Sequence, residues 1–362
     1  MNEEAYQSAN QFSLPGSITD IREIFTGHIN RTYEILTTGA SFILQRINTD
    51  IFRDVDGLMN NIDFVTSHIR KKITARGGDP DRETLTIIPT KDGKLYFRDG
   101  NHCYRMFKTI TNARTYDSLT SNCMFEKVGK AFGRFQEQLS DFDASLLSET
   151  IPDFHNTVKR YTAFYQAIQE DRAKRVDHVQ KEIRFLLDRE IKASYMMDGM
   201  AEGRFPLRVT HNDTKLNNIM IDDRTGDGIC VIDLDTVMPG SVLADFGDAI
   251  RFGASSAAED ETDLEKVHLK LDAFDAFTKG FIEGLNHSLT AEEINALPMG
   301  AYLMTLEVGL RFLTDYLGGD TYFRIAYPEH NLDRARNQLK LVADMEEKMS
   351  EMQKIVKNYL PV

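Results

Sequence analysis

Residues 209–235 decide the fold. They read Val209-Thr210-His211-Asn212-Asp213-Thr214-Lys215-Leu216-Asn217-Asn218-Ile219-Met220-Ile221, then Asp222-Asp223-Arg224-Thr225-Gly226-Asp227-Gly228, then Ile229-Cys230-Val231-Ile232-Asp233-Leu234-Asp235. Apolar runs on either side of a turn-rich centre predict strand, loop, strand, hairpin turn, strand. The loop before the hairpin is crowded with His, Asp, Lys and Asn. Phosphoryl transfer needs such groups: a carboxylate to accept or orient the proton of the attacking hydroxyl, oxygens to hold Mg²⁺ against nucleotide phosphates, and a cation to offset charge at the transferring group.

In this pattern Asp213 is placed to act as base. Asn218, five residues on, offers a side-chain oxygen to Mg²⁺, and Asp233, ending the next strand, offers the magnesium carboxylate. Lys215 falls on the same side of an extended loop as Asp213 and is placed to meet the γ-phosphate. Magnesium keeps few protein oxygens and completes its shell with phosphates and water, which matches so sparse a set. The spacing H-x-D-x-x-x-x-N is that of a protein-kinase catalytic loop, with Asn212 where that motif carries arginine. A polar turn whose Asp and Asn side chains only cap the backbone accounts for any one of these residues, but not for their order.

The rest of the chain bounds this reading. Its 362 residues suggest two domains or one large domain with two lobes. A net charge of −13 disfavours a phosphate-neutralising surface, so no nucleic-acid partner is expected. The longest apolar runs, such as Gly228–Ile232, fall far short of a membrane span, and the polar start Met1–Gln11 lacks the apolar core of a signal peptide. Cys103, Cys123 and Cys230 have neither a close pairing nor a C-x-x-C spacing, and with the missing signal peptide they point to a reducing cytoplasm.

Short β-prone runs occupy Thr32–Thr37, Phe42–Ile47, Thr84–Pro89, Lys94–Phe97 and Cys103–Thr109. One helical pattern, Val55–Ile73, interrupts them. Beyond Thr111 helical patterns take over: Phe125–Leu139, two helices within Asn156–Met200, then Leu264–Leu285, Ala291–Leu297, Tyr302–Leu317 and Leu332–Tyr359. The expectation is an α+β chain, with a small antiparallel sheet and one helix followed by a mostly helical part that holds the β-rich island.

The stretches His211–Asn218 and Ile232–Asp235 resemble the catalytic and metal motifs of the aminoglycoside phosphotransferase and choline kinase superfamily. Further stretches, Leu207–Asn218, Asp233–Ser241, Asp245–Ala254 and Tyr327–Leu332, are similar to its N-acetylhexosamine kinases, and the likeness runs from Gly27 to about Met345. The resemblance implies a protein-kinase-like, two-lobed fold: residues 1–109 as the nucleotide-binding lobe and residues 110–362 as the catalytic and acceptor-binding lobe. It implies ATP and Mg²⁺ as cofactors and the anomeric hydroxyl of an amino sugar as acceptor.

The same likeness marks Gly27 and Asn30 of Gly27–Tyr33 as a phosphate loop, with His28 facing the sugar. By spacing alone that stretch is an ordinary turn. Gln45 stands in register with the lysine that kinases carry on their third strand, and this strand has no lysine. The usual Lys–Glu ion pair is therefore in doubt, and Asp63 reads as a surface charge. Backbone groups near Lys108–Ile110 would meet adenine, and Ile232 is either a floor for the base or a plain core residue. Asp245 reads as a structural hydrogen-bonder, and Asp235 stands close enough to the metal to assist it. Arg311 and Tyr322 would bind the hexosamine, and Asp213 would touch its hydroxyl. Without the resemblance, Arg311 reads as an i,i+4 ion-pair partner of Asp315. Two other readings stay open: a different small-molecule hydroxyl kinase of the superfamily, or a catalytically inactive nucleotide-binding relative.

Overall fold

The computed structural model describes residues 2–25 and 29–360. In chain order the elements are α1 (Glu3–Ala9), β1 (Ile18–Ile24), β2 (Arg31–Thr37), β3 (Ser41–Ile47), α2 (Val55–Ala75), α3 (Pro80–Glu83), β4 (Phe97–Asp99), β5 (His102–Lys108) and β6 (Ala113–Arg114). Then come α4 (Asn122–Gln138), α5 (Thr157–Glu170), α6 (Gln180–Leu187), α7 (Tyr195–Ala201), β7 (Arg208–Thr210), β8 (Ile219–Asp222), β9 (Gly228–Val231) and β10 (Met238–Gly240). Helices α8 (Val242–Gly253), α9 (Leu271–Leu285), α10 (Ala291–Gly318) and α11 (His330–Lys357) close the chain. It divides into two compact units. The first comprises Met1–Thr115, Gln138–Pro152 and Asn218–Pro239, and the second Tyr116–Glu137, Asp153–Asn217 and Gly240–Val362.

The first unit is built on an antiparallel sheet with strand order β1-β2-β3-β5-β4. Strand alternation sorts its two faces. Tyr33, Ile35, Phe42, Leu44, Tyr104 and Met106 pack with Ala5, Ala9 and Phe12 into one core. Gln45 and Arg105 lie opposite each other in register and project from the other face. Helix α2 buries the whole predicted stripe of Val55, Leu58, Ile62, Val65, Ile69 and Ile73, and its N-cap is Asp54, whose carboxylate accepts from the Gly57 N–H. Strands β8 and β9 form the expected hairpin, with β6 alongside β8.

Several expectations shift. Thr84–Pro89 pairs with β5 only through an isolated bridge at Ile87 and backbone bonds from Ile88 and Lys108, so it is not a continuous strand. Strand β4 begins at Phe97 because Thr90 closes a tight turn, its hydroxyl accepting from the Lys94 N–H. Strand β1 was not expected: Asp20, Arg22 and Glu23 break its apolar pattern, as befits a charged sheet edge.

In the second unit Asn156–Met200 holds three helices rather than two, because Asp171 ends α5 in a left-handed turn and a second short helix precedes α7. The sequence Asp245-Phe246-Gly247-Asp248 lies on α8, which Ser241 caps by accepting from Leu243. Helix α10 runs unbroken through Pro298, where two helices were expected. A proline there removes one backbone bond, yet a Thr290–Glu293 capping box and an almost wholly buried length sustain the helix.

Helices α8 and α10 approach so closely that a Cβ on Gly247 would stand 2.3 Å from the Gly300 carbonyl oxygen. Gly247→Ala is therefore expected to lower the unfolding free energy by about 1–3 kcal/mol by overpacking, despite the better helix propensity of alanine. Urea unfolding of the two proteins checks this, and equal midpoints would refute it.

Candidate functional site

In the second unit β7 delivers the chain into the loop His211–Lys215. The His211 ring is buried edge-on to Phe132 and Phe135 of α4, at 5.7 and 6.0 Å between centroids, and its Nδ1 accepts the Asp213 N–H. Asn212 then adopts φ 64°, a left-handed conformation rare outside glycine, Asn and Asp. The buried Asp245 holds it there. Its carboxylate accepts the backbone N–H groups of His211 (2.9 Å) and Asn212 (2.7 Å) and the Gln136 amide (2.5 Å), while its carbonyl takes the Thr214 hydroxyl. Burial pushes the Asp245 carboxyl upward, against these bonds and the neighbouring His211. Asp245 is thus the structural hydrogen-bonder its sequence context implies.

Asp248, one turn further along α8, accepts the Thr214 N–H at 3.1 Å and pairs with Arg251. Burial alone would raise its carboxyl, but Arg251 and then Lys215 hold it low. Lys215 stands 2.8 Å from Asp213. Burial pushes its ammonium down, yet the Asp213 carboxylate outweighs that and keeps it charged. The predicted base and cation are therefore brought together.

In the first unit, hairpin pairing brings Asn218 and Asp233 to one end. Ile219 faces Val231, and the Ile232 N–H donates to the Asn218 carbonyl at 2.9 Å. Asp233 is exposed and left-handed, with φ and ψ both 57°. Both oxygens of Asp235 have protein partners: one ion-pairs with Arg105 and the other accepts from the Asn30 amide at 2.7 Å. One carboxylate and one amide oxygen suit magnesium, which takes the remainder of its shell from phosphates and water. Among the described residues there is no cluster of three or more His, Cys, Asp or Glu that would make a dedicated metal cage. The donor set fits that ion.

Gly27, assigned to the nucleotide, and His28, assigned to the sugar, lie outside the described residues. Asn30 bridges Asp235 and the Asn48 N–H. Gln45 accepts the Arg105 Nε–H at 2.9 Å. Ile232 is half-buried and Ile110 buried. The Lys108 side chain pairs with Asp81, and its N–H donates to Thr86. Lys108 and then Arg70 hold the Asp81 carboxyl down at about 2. Asp63 has no ion pair among the described residues. Arg105 is the residue that sequence reasoning missed. A charged side chain between Tyr104 and Met106 in an otherwise apolar central strand is the signal, since a buried charge demands a partner.

The second unit also carries a cleft of ≈ 330 Å³, lined by Arg160, Arg311, Thr314, Tyr322 and Phe323 among others. Arg311 packs against the rings of Phe154, Tyr322 and Phe323, and its Nη2 reaches the Tyr322 hydroxyl at 3.4 Å. Asp315 is not its ion-pair partner. That carboxylate accepts the N–H groups of Thr321, Tyr322 and Phe323 and the Asn331 amide, fixing the loop that presents Tyr322. One turn before Arg311, the buried Glu307 accepts from Thr157 (2.7 Å) and meets His155 Nδ1 (2.9 Å), while His155 Nε2 lies 3.4 Å from the Asn212 carbonyl. Packing thus runs from the Arg311 helix to the loop that carries Asp213.

Residues 125–277, which include this loop and α8, match the model of the phosphotransferase enzyme family (APH). The stretch carries a phosphotransferase signature. Three solved structures share the fold over almost the whole chain. One is a microcompartment-associated aminopropanol kinase (15% identity, 97% of this chain and 98% of that one, TM-score 0.61). Another is the aminoglycoside phosphotransferase of Alicyclobacillus acidocaldarius (11%, 97% and 96%, 0.65). The third is a spectinomycin phosphotransferase in complex with ADP and spectinomycin (13%, 94% and 93%, 0.53). At these identities the likeness is one of fold, and the fold is the α+β, kinase-like one that the motifs imply. No helix among the described residues is long and apolar enough to cross a membrane.

Burial raises the Glu307 carboxyl, but the His155 hydrogen bond, its charge and Arg311 outweigh burial and hold it below its ordinary 4.5. A depressed carboxylate stabilises the fold above the unfolded value, and that contribution is lost as pH falls through the folded one. Unfolding free energies of wild type and Glu307→Gln are therefore expected to differ at pH 7, and the difference to shrink as pH falls below the ordinary 4.5. Chemical denaturation at pH 7, 5, 4 and 3 checks this, and a constant difference across the series would refute it.

Proposed function

We propose that the protein is an ATP-dependent kinase that transfers the γ-phosphate to the anomeric 1-hydroxyl of an N-acetylhexosamine, either N-acetylglucosamine or N-acetylgalactosamine. The phosphotransferase match over residues 125–277 supports the reaction class. The observation that carries the acceptor is the pair Arg311 and Tyr322, which stands at an open cleft while Asp315 is committed elsewhere. The other acid at the cleft, Glu170, is likewise engaged, by Gln166 and Arg172. The cleft therefore offers guanidinium donors. These repel ammonium-bearing acceptors and suit hydroxyl and acetamido oxygens.

In this reading Asp213 takes the proton of the anomeric hydroxyl. A hemiacetal hydroxyl is more acidic than an ordinary alcohol, so a carboxylate is an adequate base. Lys215 offers its charge to the transferring phosphoryl oxygens. Asn218 and Asp233 would hold Mg²⁺, which supplies charge neutralisation along the triphosphate when bound. Asn30, Gln45, Lys108, Ile110 and Ile232, with Gly27, are assigned to ATP, and His28 to the sugar. The partners of both Asp235 oxygens favour Asp233 over Asp235 as the magnesium carboxylate.

Asp213→Asn keeps size and removes the proton acceptor. Turnover is expected to fall by about 10²–10⁴ with ATP binding little changed, and near-wild-type turnover would refute the assignment. Arg311→Ala should raise the sugar KM roughly ten- to a hundredfold while the KM for ATP stays nearly constant, since a charged hydrogen bond contributes about 1.5–3 kcal/mol. A panel of sugars, aminoglycosides and amino alcohols, read by phosphorus NMR for the position of the product phosphate, distinguishes this acceptor from others. Phosphorylation of an amino alcohol alone would overturn the sugar and leave the kinase.

A further inference from the structure

Strand β3 carries no lysine, yet the first unit is not without a buried cation on that face. Arg105 of β5, only 1% exposed, lies opposite Gln45 in register. Its Nε donates to the Gln45 Oε1, and its Nη1 ion-pairs with Asp235 Oδ1. The remaining Asp235 oxygen takes the Asn30 amide, whose own carbonyl oxygen accepts the Asn48 N–H. Asp235 is itself 3% exposed, so two opposite charges are buried together. A buried pair of this kind is weak evidence for stability, because apolar residues of equal volume hold such a site as well. What it supplies is geometry.

That geometry bears on Asp233. Asp233 sits two residues upstream in a left-handed backbone that an aspartate keeps only where its surroundings hold it. The short turn Leu234–Thr236 follows at once. Its anchors include the Asp235 side chain, the Asp235 carbonyl bonded by Thr150, and the Val237 carbonyl bonded by Asn61, which also ties Ser148. Among these anchors only the Asp235 carboxylate is held by charge.

We propose that Arg105 is a positioning residue for the metal site: by gripping Asp235 it fixes the turn that aims the Asp233 carboxylate, and it also keeps Asp235 from competing as a ligand. A cation from β5 thereby does work for which β3 has no lysine. The proposal rests on the reading of Asp233 as the magnesium carboxylate.

The test measures Mn²⁺ binding to the protein–ADP complex by electron paramagnetic resonance of the free ion, beside the melting temperature. Arg105→Lys keeps the charge but loses the forked reach to Gln45 and Asp235 together. It is expected to weaken Mn²⁺ binding at least tenfold. Arg105→Met leaves a buried carboxylate without its counter-charge and should melt lower. The double variant Arg105→Met/Asp235→Asn removes both charges, so its melting temperature should recover while Mn²⁺ binding stays at least tenfold weaker. Recovery of both in the double variant would mean that Arg105 serves the fold alone. Unchanged or tighter Mn²⁺ binding in Arg105→Lys would equally overturn the proposal. Asp233→Ala separates the two levels. Wild-type Mn²⁺ affinity there would sink the metal assignment itself, whereas its loss there without loss in the Arg105 variants would sink only the role of Arg105.

Discussion

The Asp245 carboxylate is buried on α8, and what it accepts comes from two other elements: two consecutive N–H groups of the loop after β7 and the Gln136 amide of α4. A buried acceptor left unmatched is costly, so each of these donors is held as firmly as it holds. The left-handed Asn212, the half-buried position of Asp213 beside Lys215 and the burial of His211 all depend on this anchorage. Helix α8 is in turn seated by the approach of Gly247 to Gly300, which leaves no room for a side chain. The position of Asp213 is thus set by tertiary packing two helices away.

The two units solve a similar problem in similar ways. Each carries a candidate carboxylate at or next to a non-glycine residue in the left-handed region: Asp213 next to Asn212, and Asp233 itself. Asn and Asp are the residues that visit this region at least cost. In both places a second, buried aspartate fixes the backbone, Asp245 in one unit and Asp235 in the other. From the sequence Asp245 reads as a structural hydrogen-bonder and Asp235 as a neighbour of the metal. The structure shows their oxygens spent on backbone amides, side-chain amides and one guanidinium.

Much of this was legible in the sequence. The hairpin of β8 and β9 and the apolar stripe of α2 follow from local pattern, because turn residues and helical periodicity are properties of short windows. The closeness of Asp213 and Lys215 follows from local pattern for the same reason. What the sequence hid is non-local. Strand β1 carries too many charges to look like a strand until its edge position is known. Pro298 looks like a break because the buried surroundings of α10 are not written in its own residues. Arg105 looks like one more basic residue, since its partner Asp235 belongs to a different segment, and Asp315 looks like an i,i+4 partner until the loop after α10 claims it.

The discontinuity of the first unit has a consequence for how the chain is made. Its five-stranded sheet is complete by Lys108, but the segment Asn218–Pro239 that completes the unit is translated only after α4 to α7 and β7. Asn30 and Asp235, bonded in the finished molecule, are 205 positions apart. Until that segment arrives the sheet carries Arg105 without its counter-charge Asp235, and closure over such a distance is slow. The charged β1 and the three-residue β4, which form the two edges of that sheet, protect it against pairing with another chain during the wait.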